Sequence, residues 1–126
     1  MLTEPQMKTA LHKYLDGFNQ DQPELIITLF ADDATIEDPV GGGQVVEGKE
    51  QIAAFYRQGV PQVEELKLDT PIRGSYSRAA AMAFTIHMER EGQKIRIQAI
   101  DVMTFNDSGK ITEMKAYHGP SNVIEK

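Results

Sequence analysis

Ile95-Arg96-Ile97-Gln98-Ala99-Ile100-Asp101-Val102-Met103-Thr104-Phe105 reads as one long β-strand with an apolar face. Side chains alternate between the two faces of a strand, so Ile95, Ile97, Ala99, Asp101, Met103 and Phe105 share a side. That side is apolar except for a carboxyl at its middle. Arg96, Gln98 and Thr104 make the other side the polar one, while Ile100 and Val102 call for partial cover there by a helix or a second subunit. Slipping the register by one residue would expose the five apolar partners of Asp101, so the pattern places Asp101 inward.

On either side of this strand the chain turns sharply. Glu91-Gly92 and Asn106-Asp107-Ser108-Gly109 are hairpin turns, joining it to strands at residues 79–89 and 111–118. The first of these begins upstream at residues 72–75 and runs on past Tyr76; a further strand covers residues 63–68. Residues 34–38 form a short alternating strand stopped by Pro39 and Gly41, Gly42 and Gly43, with Val45 and Val46 pairing back on it.

The rest of the N-terminal half has a helical period. Thr3, Pro5 and Gln6 form a capping box that opens a helix with Met7, Leu11, Tyr14 and Phe18 on one buried face. Asp21, Pro23 and Glu24 have the same pattern and predict a second helix that turns Leu25, Ile26, Leu29 and Phe30 inward. A third helix over residues 49–58 presents Ile52, Phe55 and Tyr56 before Gly59 and Pro61 end it. Helices gathered in the N-terminal half and an antiparallel meander after them predict an α+β fold, its sheet curled around the three helices.

With 126 residues, the chain has the length of a single domain, residues 1–126, large enough to enclose an apolar pocket. It has no Cys, hence no thiol nucleophile or thiolate metal site, which fits a reducing compartment. Neither a signal peptide nor a membrane span is legible at the N-terminus, so the reading is cytoplasmic. A formal charge of −6 without a Lys/Arg cluster argues against nucleic acid as partner and is compatible with a neutral, apolar small molecule.

Three residues can carry chemistry. A carboxylate buried without a cation on its own face raises its pKa and stays protonated, so Asp101 is either a neutral acid able to donate a hydrogen bond or a structural acceptor. Tyr14 is either core or a buried donor whose hydroxyl needs a partner, and Tyr56 can orient it through a hydroxyl-to-hydroxyl bond. Asp38 stands at a strand end before Pro39, which reads as a turn starter or as an accessible carboxylate base. Together they make one base and two hydroxyl donors in an apolar pocket, the equipment for removing a proton next to a carbonyl and stabilising the enolate.

The stretches at residues 29–41 and 83–85, the run Ala99-Ile100-Asp101, and Tyr14 upstream closely resemble bacterial ketosteroid isomerases, and the resemblance covers essentially the whole chain. It implies a cone-shaped fold of the nuclear transport factor 2 or cystatin-like type, a pocket for a small apolar steroid, a homodimer and no cofactor. It also implies that Asp38 shuttles a proton from C4 to C6 of a 3-oxo-Δ5-steroid while Tyr14 and protonated Asp101 donate to the dienolate oxygen, with Tyr56 supporting Tyr14. A carboxylic acid kept neutral to donate a hydrogen bond is the known device of these enzymes, so that role is matched here and not discovered.

Phe84, Met82, Met114, His118 and Val40 are the expected lining of the pocket. His118 stands where the familiar enzymes carry a bulky aromatic; it reads as an exposed strand-end residue or as a polar contact at the far end of the steroid. His12, His87 and His118 lack metal-ligand spacing, so no metal is expected. The glycine triplet lacks the Lys and Ser/Thr of a phosphate loop. Two other functions remain open at this level: a polyketide-cyclase-like or epoxide-hydrolase-like enzyme on another apolar substrate, and a non-catalytic ligand-binding module. Epoxide opening calls for an arginine between two carboxylates, and Arg96 lies on the wrong face of its strand.

Overall fold

Thr3 and Gln6 cap the first helix reciprocally in the computed structural model, which describes residues 2–43 and 45–125. The Gln6 amide donates to Thr3 Oγ1 at 3.3 Å, and Gln6 Oε1 accepts from the Thr3 amide at 2.8 Å. The helix, α1 (Glu4–Asn19), buries Met7, Leu11 and Tyr14 and half-buries Phe18, as its spacing predicts. Gly17 lies against α2 (Pro23–Ile27); a Cβ there would collide with Ile26, so the closeness of this helical hairpin requires glycine.

The second helix departs from expectation. Asp21 is not its cap: it takes a left-handed φ of 54° in the interhelical turn, a conformation Asp tolerates, and the N-cap passes to Gln22, which makes no side-chain cap bond. The helix is correspondingly short. Phe30 belongs to the strand that follows, β1 (Phe30–Glu37), and Leu29 to the connection.

Next come β2 (Val45–Glu47), α3 (Lys49–Gly59) and a 3₁₀ turn (Val60–Gln62). The remaining strands are β3 (Val63–Leu68), β4 (Ala79–Arg90), β5 (Gln93–Phe105), β6 (Ile111–Tyr117) and β7 (Val123–Glu125). The β4–β5 hairpin turns on Glu91 and Gly92, both at positive φ, the geometry that matches strand twist in a two-residue turn. The strand order is β2-β1-β6-β5-β4-β3, with β7 paired to β5 ahead of the residues that β6 covers.

The expected antiparallel sheet is corrected to a mixed one. β1 pairs with β6 in parallel, Ile36 opposite Met114 and Glu37 opposite Lys115, because all of α3 and β3 to β5 lies between them and supplies the long crossover that parallel pairing needs. Residues 72–75 do not run on into β4 either. They double back on it, through an antiparallel bridge from Arg73 to Ala81.

All six inward residues of β5 are buried, Asp101 among them at 2% exposure. Ala99, Met103 and Phe105 join a core shared with the helices, in which Leu11, Ile26, Phe30, Ile36, Ile52 and Met103 are sealed from solvent. Each large apolar side chain so buried stabilises the fold by roughly 1.5–3 kcal/mol. On the outer face Ile100 and Tyr117 are register neighbours and remain exposed; the cover expected for Ile100 is not supplied by a helix among the described residues.

Candidate active site

The concave side of the sheet and the helices α1 and α3 leave a cavity of about 390 Å³. Its walls are Phe18, Phe55, Leu66, Phe84, Ile86 and Ala99; its polar groups include Tyr14, Tyr56, Asp38, Asp101 and His118. The volume is that of a small-molecule site. Among the described residues no group of three or more His, Asp or Glu side chains is arranged to hold a metal ion.

Each polar group arrives by a different route. Asp101 comes from the middle of β5, opposite Met82 of β4 and Ala116 of β6, where strand alternation turns it inward. Tyr14 comes from the buried stripe of α1 and Tyr56 from that of α3, and their hydroxyls meet at 2.9 Å with the rings edge to face. Asp38 follows the last residue of β1 in a loop tied back to β6: the Val40 amide donates to the Ala116 carbonyl at 2.8 Å. The Asp38–Pro39 peptide is cis.

His118 is placed by the parallel pairing. Both β1 and β6 end at the same edge of the cone, so the residues that follow them, Asp38 and His118, come together, His118 Nε2 lying 3.5 Å from Asp38 Oδ1. The side chain is only 17% exposed. His118 is therefore not an exposed strand-end residue; it borders the cavity, as expected, beside Asp38.

The lining expected from sequence is corrected in three places. Phe84 borders the cavity, but Met82, Met114 and Val40 do not. Met82 is buried within the core. Met114 is screened by Tyr56, whose hydroxyl lies 3.5 Å from its sulfur, and Val40 is exposed. Phe18, Phe55, Ile86 and Met88 were not assigned to the pocket, although helical and strand period put them on the inward faces.

The electrostatics sort the carboxyls into two roles. Burial, reinforced by the negative charge of Asp38, pushes the Asp101 carboxyl well above the usual carboxylate range, so it is held neutral. Its Oδ1 is sealed from solvent and has no hydrogen-bond partner among the described residues. Burial also raises Asp38, but the adjacent His118 opposes the shift, leaving it the more readily ionised of the pair. Two carboxyls pushed apart in this way make an acid and a base.

The Tyr14 phenol is raised well above its ordinary value by burial first and then by Tyr56 and Asp101, so it keeps its proton. Tyr56, raised chiefly by burial, has one proton and two acceptors in reach, the Tyr14 oxygen and the Met114 sulfur. Donating to Tyr14 frees the Tyr14 proton for a ligand. Tyr56→Phe is therefore expected to destabilise the fold by about 1 kcal/mol and to reduce turnover less than Tyr14→Phe does, measured by urea denaturation and by kcat.

His118 predicts a pH effect with a definite sign. Protonating Asp38 removes the base, and His118 holds the Asp38 carboxyl lower than burial alone would. His118→Leu should thus move the acid limb of the kcat/KM profile to higher pH. A limb that stays put or moves down would show that His118 does not tune Asp38.

The chain matches the family model described as the SnoaL-like domain over residues 11–114. It is 35% identical over 121 residues to a steroid Delta-isomerase of Nocardioides simplex, with 94% of each chain covered. Among solved structures it is similar to the epoxide hydrolase/cyclase-like enzyme SalBIII, described for its role in pyran ring formation in the polyether salinomycin. That likeness has a TM-score of 0.87 at 26% identity and covers 100% of both chains. With the cone-shaped fold and the pocket already described, these matches identify the chain as a member of the SnoaL-like domain family, and within it as a ketosteroid-isomerase-like protein.

Proposed function

We propose that the protein isomerises 3-oxo-Δ5-steroids to their conjugated Δ4 isomers. The observation that supports this most is the convergence, in one largely apolar cavity, of a carboxyl that ionises more readily with a phenol and a carboxylic acid whose burial holds their protons. Asp38 takes a proton from C4, and the C–H electrons move through the ring to the C3 oxygen. The resulting dienolate oxygen accepts hydrogen bonds from Tyr14 and from protonated Asp101. Asp38 then returns the proton to C6, so the double bond between C5 and C6 is lost and one between C4 and C5 is gained. No electron leaves the substrate, and no cofactor is required.

Donors set in place before the charge develops cost no reorganisation during the reaction, which is why a dry wall of aromatic and aliphatic side chains serves this chemistry. The reading includes a cytoplasmic homodimer whose subunits meet through the exposed Ile100 and Tyr117 side of the sheet. No helix of the described residues is long and apolar enough to cross a membrane.

One observation favours a second reading, epoxide opening: the likeness to SalBIII. An acid and a base in one cavity suit that reaction as well. Against it, Arg96 stays on the outer face of β5, paired with His87 and Ile124, away from Asp38 and Asp101. The test is incubation with a 3-oxo-Δ5-steroid and, separately, with an epoxy alcohol, products being read by proton NMR. A vinyl proton moving from C6 to C4 supports the isomerase; opening of the epoxide with an inert steroid would replace it by the second reading.

A further inference from the structure

The cavity does not end with its apolar walls. Ile86, Met88 and Arg90 continue the inward face of β4 beyond Phe84, and Arg90 borders the cavity together with Gln62. Arg90 is exposed, and it has no salt-bridge partner among the described residues. Lys94, opposite Glu89 in the hairpin, is by contrast ion-paired with Glu64 and also feels the charge of Glu89.

The spacing sets the length of the ligand. Asp101 is in register with Met82, and Arg90 stands eight positions further along β4, about 27 Å of strand at ~3.4 Å per residue. Twist and the reach of the two side chains shorten this separation. A four-ring nucleus spans only roughly 10 Å, as about eight zigzag C–C bonds of ~1.5 Å. A 3-oxo steroid held at its oxygen by Tyr14 and Asp101 therefore stops short of Arg90, and a chain of a few carbons at C17 crosses the remainder.

We propose that Arg90 binds the carboxylate at the end of a C17 side chain, so that the substrates of this protein are 3-oxo-Δ5 steroid acids. The inference rests on the isomerase reading and specifies the substrate class. A guanidinium offers a carboxylate two parallel N–H donors, a geometry that a neutral tail cannot use. Gln62 adds an amide on the same rim.

The experiment compares 3-oxo-5-cholenoic acid with its methyl ester, which keeps the shape and removes the charge. In the wild type the acid should exceed the ester in kcat/KM by about three- to tenfold, mostly through KM, and added salt should shrink the ratio. Arg90→Gln should bring the ratio close to one, and Arg90→Glu should bring it below one. A wild-type ratio near one, or a ratio that Arg90→Gln leaves unaltered, would overturn the proposal. If folded protein turns over neither compound, the isomerase reading fails separately. Titration of the Δ4 acid and its ester, followed by tyrosine fluorescence, then decides the role of Arg90 by the same ratio.

Discussion

Asp38→Asn is expected to lower kcat by about 10²–10⁴-fold while leaving steroid binding close to that of the wild type. The amide is nearly isosteric with the carboxylate and can keep its place beside His118, but it has no basic lone pair with which to take a proton from carbon. Asp38 lies just past a strand end with its side chain 30% exposed, and the loop is held through the backbone of Val40, so the substitution spares the fold. Steady-state kinetics beside titration of a Δ4 product steroid separate the two effects. A variant with near-normal turnover would mean that another group removes the proton.

Asp101→Leu should separate activity from stability. Removing one oxyanion donor lowers kcat by about 10²–10³-fold, yet the variant is expected to be at least as stable as the wild type near neutral pH. Asp101 is buried with an unpartnered oxygen, a situation that typically costs about 1–3 kcal/mol, and the cavity beside it accommodates the larger side chain.

The pH dependence has the same sign. Since the carboxyl is raised in the folded state, the native protein holds a proton that the unfolded chain releases above the ordinary Asp range. That contribution to stability is complete at low pH and declines as pH rises towards the folded-state value. Replacing Asp101 removes this decline, so the stability gain of the variant over the wild type should grow from acid to neutral pH. Urea midpoints at several pH values measure it. A midpoint that drops in the variant at all pH values would show Asp101 to be a structural acceptor.

Much of this arrangement was legible in the amino-acid order because it rests on two short periods. Alternation in β5 is unbroken from Ile95 to Phe105, so Asp101 could be put inside with its five apolar partners. The stripe of α1 located Tyr14 in the same way, and the third helix located Tyr56. What local pattern does not carry is strand direction. β1 and β6 have the same alternation whether parallel or antiparallel, and reading the sheet as a meander separated His118 from Asp38; the parallel pair brings them together.

Shorter features were lost for related reasons. A strand of three residues, Val123–Glu125, is too brief to display a period, and its place beside β5 follows from the end of β6. Asp21 had the composition of a helix cap, but the tight approach of the helices at Gly17 drew it into the turn. Arg90 was within reach of the argument, since it shares the even positions of β4 with Phe84, Ile86 and Met88. Next to a hairpin turn, though, an arginine has the same local signature whether it is solvated or guards a cavity.

The most direct measurement is ultraviolet absorbance of the purified protein mixed with 5-androstene-3,17-dione, with no other addition. Moving the double bond into conjugation with the C3 carbonyl creates an enone chromophore that the substrate lacks. Cofactor-free growth of that band, nearly abolished in Asp38→Asn, is the predicted result. A flat trace from folded wild-type protein, for this ketone and for 3-oxo-5-cholenoic acid alike, would contradict the account.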